Sequence, residues 1–225
     1  MKNVLRGALI AGAVIILGTC LSPYDGGVAE AGLPGTKTPI AESDLFVQQG
    51  GGGSVYRFYT DDPKYRTPLG YTLWAYSSGP GALVERAVKV RKTYGSAAAG
   101  YGLVICSAER LVGGAAENVF LTVLINNSKE YAVGKVTGSL YTPLVKWTKS
   151  GGLDEGRGLW NTIRIERDAV DHNAYHLFFN TIKETVFFDD KEPKCEGTGR
   201  NGYIAVIAPN DLNNSSVEAW FDETP

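Results

Sequence analysis

At 225 residues the chain has room for one sandwich-sized domain with a complete core. Its 44% hydrophobic and 20% charged content excludes a disordered chain. A formal net charge of −2, from 22 basic and 24 acidic residues with no basic stripe, excludes the electrostatic footprint of a nucleic-acid binder.

The N-terminus reads as an export signal. Lys2 and Arg6 precede Ala8 to Leu17, an apolar run broken only by Gly12. The run is shorter than the ~20 residues of a membrane span and suits a signal peptide. Leu17-Gly18-Thr19-Cys20 resembles the lipobox of bacterial lipoproteins, which would make Cys20 the lipidated residue, although Thr19 stands where Gly, Ala or Ser is usual. Ala29-Glu30-Ala31 offers ordinary cleavage as an alternative, and an uncleaved anchor is a third. Loss of residues 1–19 would leave 20 basic and 24 acidic residues, a balance of −4. The expected location is the periplasm or cell surface, with a lipid anchor in a bacterial membrane.

Residues 20–53 read as a flexible tether, with Pro23, Pro34, Pro39 and the run Gly50 to Gly53. Asp44 to Gln48 could instead add an edge strand. From residue 54 to 225 short alternating segments predict strands at Val55–Tyr59, Tyr71–Tyr76, Val84–Val90 and Tyr101–Cys106. Further strands are predicted at Val119–Asn126, Glu130–Thr137, Leu140–Thr148, Thr162–Arg167, Tyr175–Asn180, Ile182–Phe188, Gly202–Ala208 and Val217–Asp222. Strands at this spacing, with turn residues between them, imply an all-β sandwich or barrel. Cys106 and Cys195 could pair in an oxidising compartment, adding roughly 4 kcal/mol in the chain-entropy view, or be unrelated.

Several segments resemble, in order, the concanavalin A-like superfamily, in its laminin-G-like and 3-keto-disaccharide-hydrolase-like branch. They are Gly100-Tyr-Gly-Leu-Val-Ile105, the hairpin Phe120 to Val133, Trp160-Asn161 with the strand pair after it, Gly202 to Ile207, and Val217 to Asp222. The resemblance covers about residues 84–222 and implies an antiparallel two-sheet jelly roll. Thr181 follows Asn180 where the family often has Gly, so the turn there must differ or be strained. The residues agree independently: Ile163 and Ile165, then Tyr175, Leu177 and Phe179, then Val186 and Phe188 keep one face apolar. With that inward set, Phe178 and Phe187 face solvent as candidate ligand-binding aromatics; a slip of one residue would bury them.

Candidate chemistry is sparse. Glu166-Arg167-Asp168-Ala-Val-Asp171 loosely resembles the Glu-x-Asp-x-x-Glu strand of laminarinase- and lichenase-like glycosidases, making Glu166 and Asp168 weak catalytic candidates. An exposed strand end with paired charges explains the same residues. Gly197-Thr-Gly-Arg-Asn-Gly202 precedes a strand and opens no helix, so it is a turn cluster. Asp154, Glu155, Asp189, Asp190 and Glu192 lie in loops; Asp189 and Asp190 are weak Ca²⁺ candidates by resemblance, and solvated loops are the plainer reading. No cofactor is expected. His172 and His176 lack zinc-ligand spacing. Of Trp74, Trp147, Trp160 and Trp220, Trp160 looks structural, and Trp147, after the outward-reading Tyr141 and Val145, is the best exposed candidate for stacking on a sugar.

The expectation is an exported, lipid-anchored, non-catalytic carbohydrate- or surface-binding domain, with ligand contacts from Trp147, Tyr141, Phe178 and Phe187. Its partners are a carbohydrate or envelope polymer and the membrane. A glycoside hydrolase or 3-keto-disaccharide hydrolase-like enzyme is the first alternative, and a protein-binding envelope adhesin the second. Ligand and oligomeric state stay open.

Overall fold

Period-two alternation decides the architecture. A computed structural model describes residues 16–17, 46–49, 55–60, 71–76, 85–137, 140–188, 200–207 and 217–223. Among these residues the strands are β1 (Ile16–Leu17), β2 (Phe46–Gln49), β3 (Val55–Thr60), β4 (Tyr71–Tyr76), β5 (Glu85–Tyr94), β6 (Tyr101–Val112) and β7 (Ala115–Ile125). They continue with β8 (Glu130–Thr137), β9 (Leu140–Lys149), β10 (Asn161–Arg167), β11 (Ala174–Phe179), β12 (Ile182–Phe188), β13 (Arg200–Ile207) and β14 (Val217–Asp222). No helix occurs among the described residues.

The first sheet runs β1-β4-β13-β6-β7-β8-β9 and the second β12-β11-β10-β5-β14-β3-β2. Apart from the parallel β1–β4 contact, every pairing is antiparallel. The predicted all-β, two-sheet sandwich is the observed one. Phe46–Gln49, inside the segment read as a tether, is the edge strand of the second sheet, paired with β3.

The two inner faces bury each other. Leu103, Leu121, Val123 and Val133 from the first sheet meet Val88, Val90, Ile163, Ile165 and Leu177 from the second. Aromatic pairs staple the sheets: Tyr131 meets Phe179 edge-on at 5.1 Å, and Tyr203 stacks on Phe221 at 4.6 Å. Two buried basic side chains lie on β5, Arg86 near its start and Lys92 near its end. Arg86 pairs with Glu223 at 3.0 Å. Lys92, with no exposed surface, donates from Nζ to the carbonyl of Ser96 at 2.6 Å and to that of Ala99.

Two local features differ from the alternation. A bulge between Leu177 and Phe178 in the β11–β12 pairing leaves Glu184 unmatched, so Tyr175 lies opposite Phe187 and Leu177 opposite Thr185. Phe187 therefore faces inward, 3% exposed and stacked on Tyr175 at 5.2 Å. The expected solvent-facing Phe187 is corrected, and Val186 takes the outer phase beside His176. At the following turn only Asn180, with φ 52°, takes the left-handed conformation; Thr181 does not, which is how this turn dispenses with glycine. Asn180 also exchanges hydrogen bonds with Thr162, its Oδ1 accepting from the Thr162 amide at 2.9 Å.

Strand packing is tightest at Gly102, where an added Cβ would lie 2.1 Å from the Val123 carbonyl oxygen. Gly102→Ala should lower stability by about 2–4 kcal/mol in urea unfolding, since backbone must move to admit one methyl group. Lys92 makes a second prediction. Burial, aided by the Arg157 charge, lowers its pKa from 10.5 to about 7. Between about pH 7 and 10 the unfolded chain then binds more protons than the folded one, so stability should rise with pH across that window. Urea midpoints of Lys92→Met should lack this rise.

Candidate active site

The outer faces of the two sheets differ in chemistry. On the first sheet, the positions alternating with the core include Val104, Phe120, Thr122, Leu124, Ala132 and Val136, uncharged and buried. On the second, β5 presents Glu85, Ala87, Lys89 and Arg91 outward, and its neighbours follow in register. Ionisable groups and aromatics share this face.

At one end Glu166 lies directly opposite Glu85 on β5 and His176 on β11. In such antiparallel pairs the Cβ atoms are about 4.5–5.5 Å apart. Arg164 sits between the acids: its Nη1 is 3.7 Å from Glu85 Oε1 and in ion-pair contact with Glu166. Its guanidinium also covers the Phe178 ring at 3.7 Å from the centroid. The Glu85 side chain is 58% exposed and that of Glu166 32%, so both are within reach of solvent.

Asp168 lies beyond the end of β10 and serves the hairpin loop. Its Oδ1 accepts from the amides of Val170 at 2.8 Å and Asp171 at 2.9 Å, and its Oδ2 meets His176 Nε2 at 2.8 Å. His176 first, then the two amides, hold the Asp168 carboxyl down at about 2. A group ionised to that depth does not serve as a general acid. Glu166 and Asp168, the two weak catalytic candidates, are thus separated in role, and Glu85 is the acid that the fold brings to Glu166.

At the other end five side chains alternate across four segments. The Arg91 guanidinium lies 4.4 Å from the ring of Trp160 and 5.1 Å from that of Trp220; Arg57 lies 5.6 Å from Trp220 and 4.9 Å from Tyr59. Glu218 takes Arg57 Nε at 2.6 Å and the Thr93 hydroxyl at 2.6 Å. Trp160 and Tyr59 are among the exposed large rings, as is Tyr94 opposite Glu218.

Of the other predicted site residues, Phe178 is on the outer face under Arg164. Trp147 is 46% exposed on β9 of the first sheet, its ring against the Gly100 backbone, and so apart from this face. Tyr141 lies on β9, its side chain outside the described residues, as are Cys20, Asp189, Asp190, Glu192 and Cys195. Cys106 is disulfide-bonded. Asp154 and Glu155 are exposed, and among the described residues no group of three His, Cys, Asp or Glu is placed to hold a metal. Sequence reasoning missed Glu85, Arg164, Arg91 and Arg57. The outward phase of β5 was the available signal for two of them.

No family model matches the chain, and no curated protein does. Solved structures do. The glycoside hydrolase family 16 endo-glucanase from Bacteroides ovatus aligns at TM-score 0.51 and 11% identity, over 77% of this chain and 80% of that one. The Bacillus licheniformis beta-glucanase gives 0.48 and 8% over 76% and 79%, and the endo-beta-1,4-glucuronan lyase from Trichoderma reesei 0.48 and 12% over 79% and 83%. The chain therefore has the concanavalin A-like jelly-roll fold. The likeness to a family 16 endo-glucanase corrects the expectation of a non-catalytic binding domain.

The hairpin anchor can be tested by acid titration. Because the Asp168 pKa is lower folded than its ordinary 3.8, its contribution is present above pH 4 and lost as pH falls toward 2. Thermal melts of Asp168→Asn should show a lower Tm at pH 6 and a weaker fall between pH 4 and 2.

Proposed function

We propose that this chain is a glycoside hydrolase that cleaves polysaccharide with Glu85 and Glu166 as its two carboxylates. The observation that carries the reading is their direct opposition on neighbouring strands around one guanidinium. Retaining glycosidases need carboxyl groups about 5–5.5 Å apart, and cross-strand neighbours supply that order of spacing. The family 16 fold likeness supports the reaction class.

In this mechanism Glu166, in ion-pair contact with Arg164, attacks the anomeric carbon as the glycosidic bond breaks. Glu85, more exposed and farther from Arg164, gives its proton to the leaving oxygen. It then takes a proton from the water that displaces Glu166. His176 lies opposite Glu166 on the neighbouring strand, with its Nε2 held by Asp168. Export and lipidation at Cys20 belong to the same proposal, supported by the charged start, the apolar run and the lipobox-like residues. They would put the sandwich on the side where polysaccharides are met.

Release of reducing ends from a panel of polysaccharides checks the proposal. Glu166→Gln and Glu85→Gln should each lower turnover on the order of 10²–10⁴-fold while the unfolding midpoint stays within the range of a surface substitution. Undiminished turnover in Glu166→Gln, or no product from any polymer, would overturn it.

A further inference from the structure

The row of rings and guanidinium groups is not needed to place the two carboxylates, and its charges are unequally compensated. Arg57 is neutralised by Glu218 at 2.6 Å. Arg164 is shared by two acids. Arg91 has neither: among the described residues it makes no ion pair, and its buried Nε has no hydrogen-bond partner. Two indoles hold it instead, at 4.4 and 5.1 Å.

Flanking rings fix a guanidinium in place without lowering its charge, while its planar fork of donors remains suited to a carboxylate or sulfate. Lys89, two residues back on the same face of β5, likewise makes no ion pair among the described residues. The two acids nearest by register, Glu218 and Asp222, flank Trp220 on β14 and lie opposite Tyr94 and Lys89, not Arg91. The exposed rings of Trp160, Tyr59 and Tyr94 around this positive spot offer the apolar surface on which sugar rings stack.

We propose that Arg91, held between Trp160 and Trp220, is the anion-reading subsite of this face, and that the polysaccharide it takes carries a carboxylate or sulfate on its sugar units. The inference rests on the proposed hydrolase reading for its substrate, and goes beyond it in naming the substrate's charge. The chain would cross from the Arg91 row toward Glu85 and Glu166 on the same sheet face.

Affinity electrophoresis of the full-length chain in detergent tests this, with gels holding a polyuronate, a sulfated galactan or a neutral β-glucan. Retardation by an anionic polymer, weakened by 0.3 M NaCl as ion pairing requires, is the expected result. The polymer that retards more identifies the anion. Arg91→Gln should weaken that retardation about tenfold, as loss of one charged contact does. Arg91→Lys, which keeps charge without the planar fork, should restore only part of it. Trp160→Ala, at a half-exposed ring, is the second variant should Arg91→Gln unfold. Equal retardation by the neutral glucan, or none of these variants changing it, overturns the proposal. Anionic binding without cleavage would sink the hydrolase reading alone, whereas cleavage of neutral glucan untouched by Arg91→Gln would sink this one alone.

Discussion

Burial of one sheet's apolar face against the other's is the interaction on which everything else here depends. It removes Leu103, Val123, Val90, Ile163 and Phe221 from water and fixes the phase of each strand that supplies them. Once that phase is set, the opposite residues of the second sheet have no choice of side. The position of β5 at the centre of its sheet makes it the reference strand: Val88 and Val90 point into the core, with Glu85, Lys89 and Arg91 on the other face.

The face so produced is chemically graded. Carboxylates gather at the β10–β11 end, where Arg164 offsets their mutual repulsion. Aromatic rings gather at the β14–β3 end, where two guanidinium groups fill the spaces between them. The arginines differ by circumstance, not by residue type. A neighbouring carboxylate spends the charge of Arg57, and among the described residues none does so for Arg91.

Much of this architecture was legible in the residues because a sandwich is written in local alternation. Glu130–Thr137, Ile182–Phe188 and Val217–Asp222 begin and end where the pattern of apolar side chains does. Phe187 was misread because the unmatched Glu184 changes the phase of its strand, and an inserted residue leaves alternation on either side intact. The β6–β7 hairpin had a readable signal in Gly113-Gly114, both at positive φ as a tight two-residue turn requires. The pairing of Glu85 with Glu166 was beyond reach, since β5 and β10 are neighbours only through strand order, which separated segments do not state. The Trp160 and Trp220 rings suffered similarly: each is an unremarkable tryptophan until the fold sets Arg91 between them.

The interior lysine and the stacked arginine, Lys92 and Arg91, are consecutive residues on opposite faces of β5. Core and outer face are thus two interleaved readings of a single strand. Point changes can retune either reading independently, but an insertion or deletion upstream within β5 would swap them, driving an aromatic-clamped cation inward and greasy side chains outward. Divergence of specificity in related chains should therefore proceed along β5 by replacement alone, with length variation confined to the connections between strands.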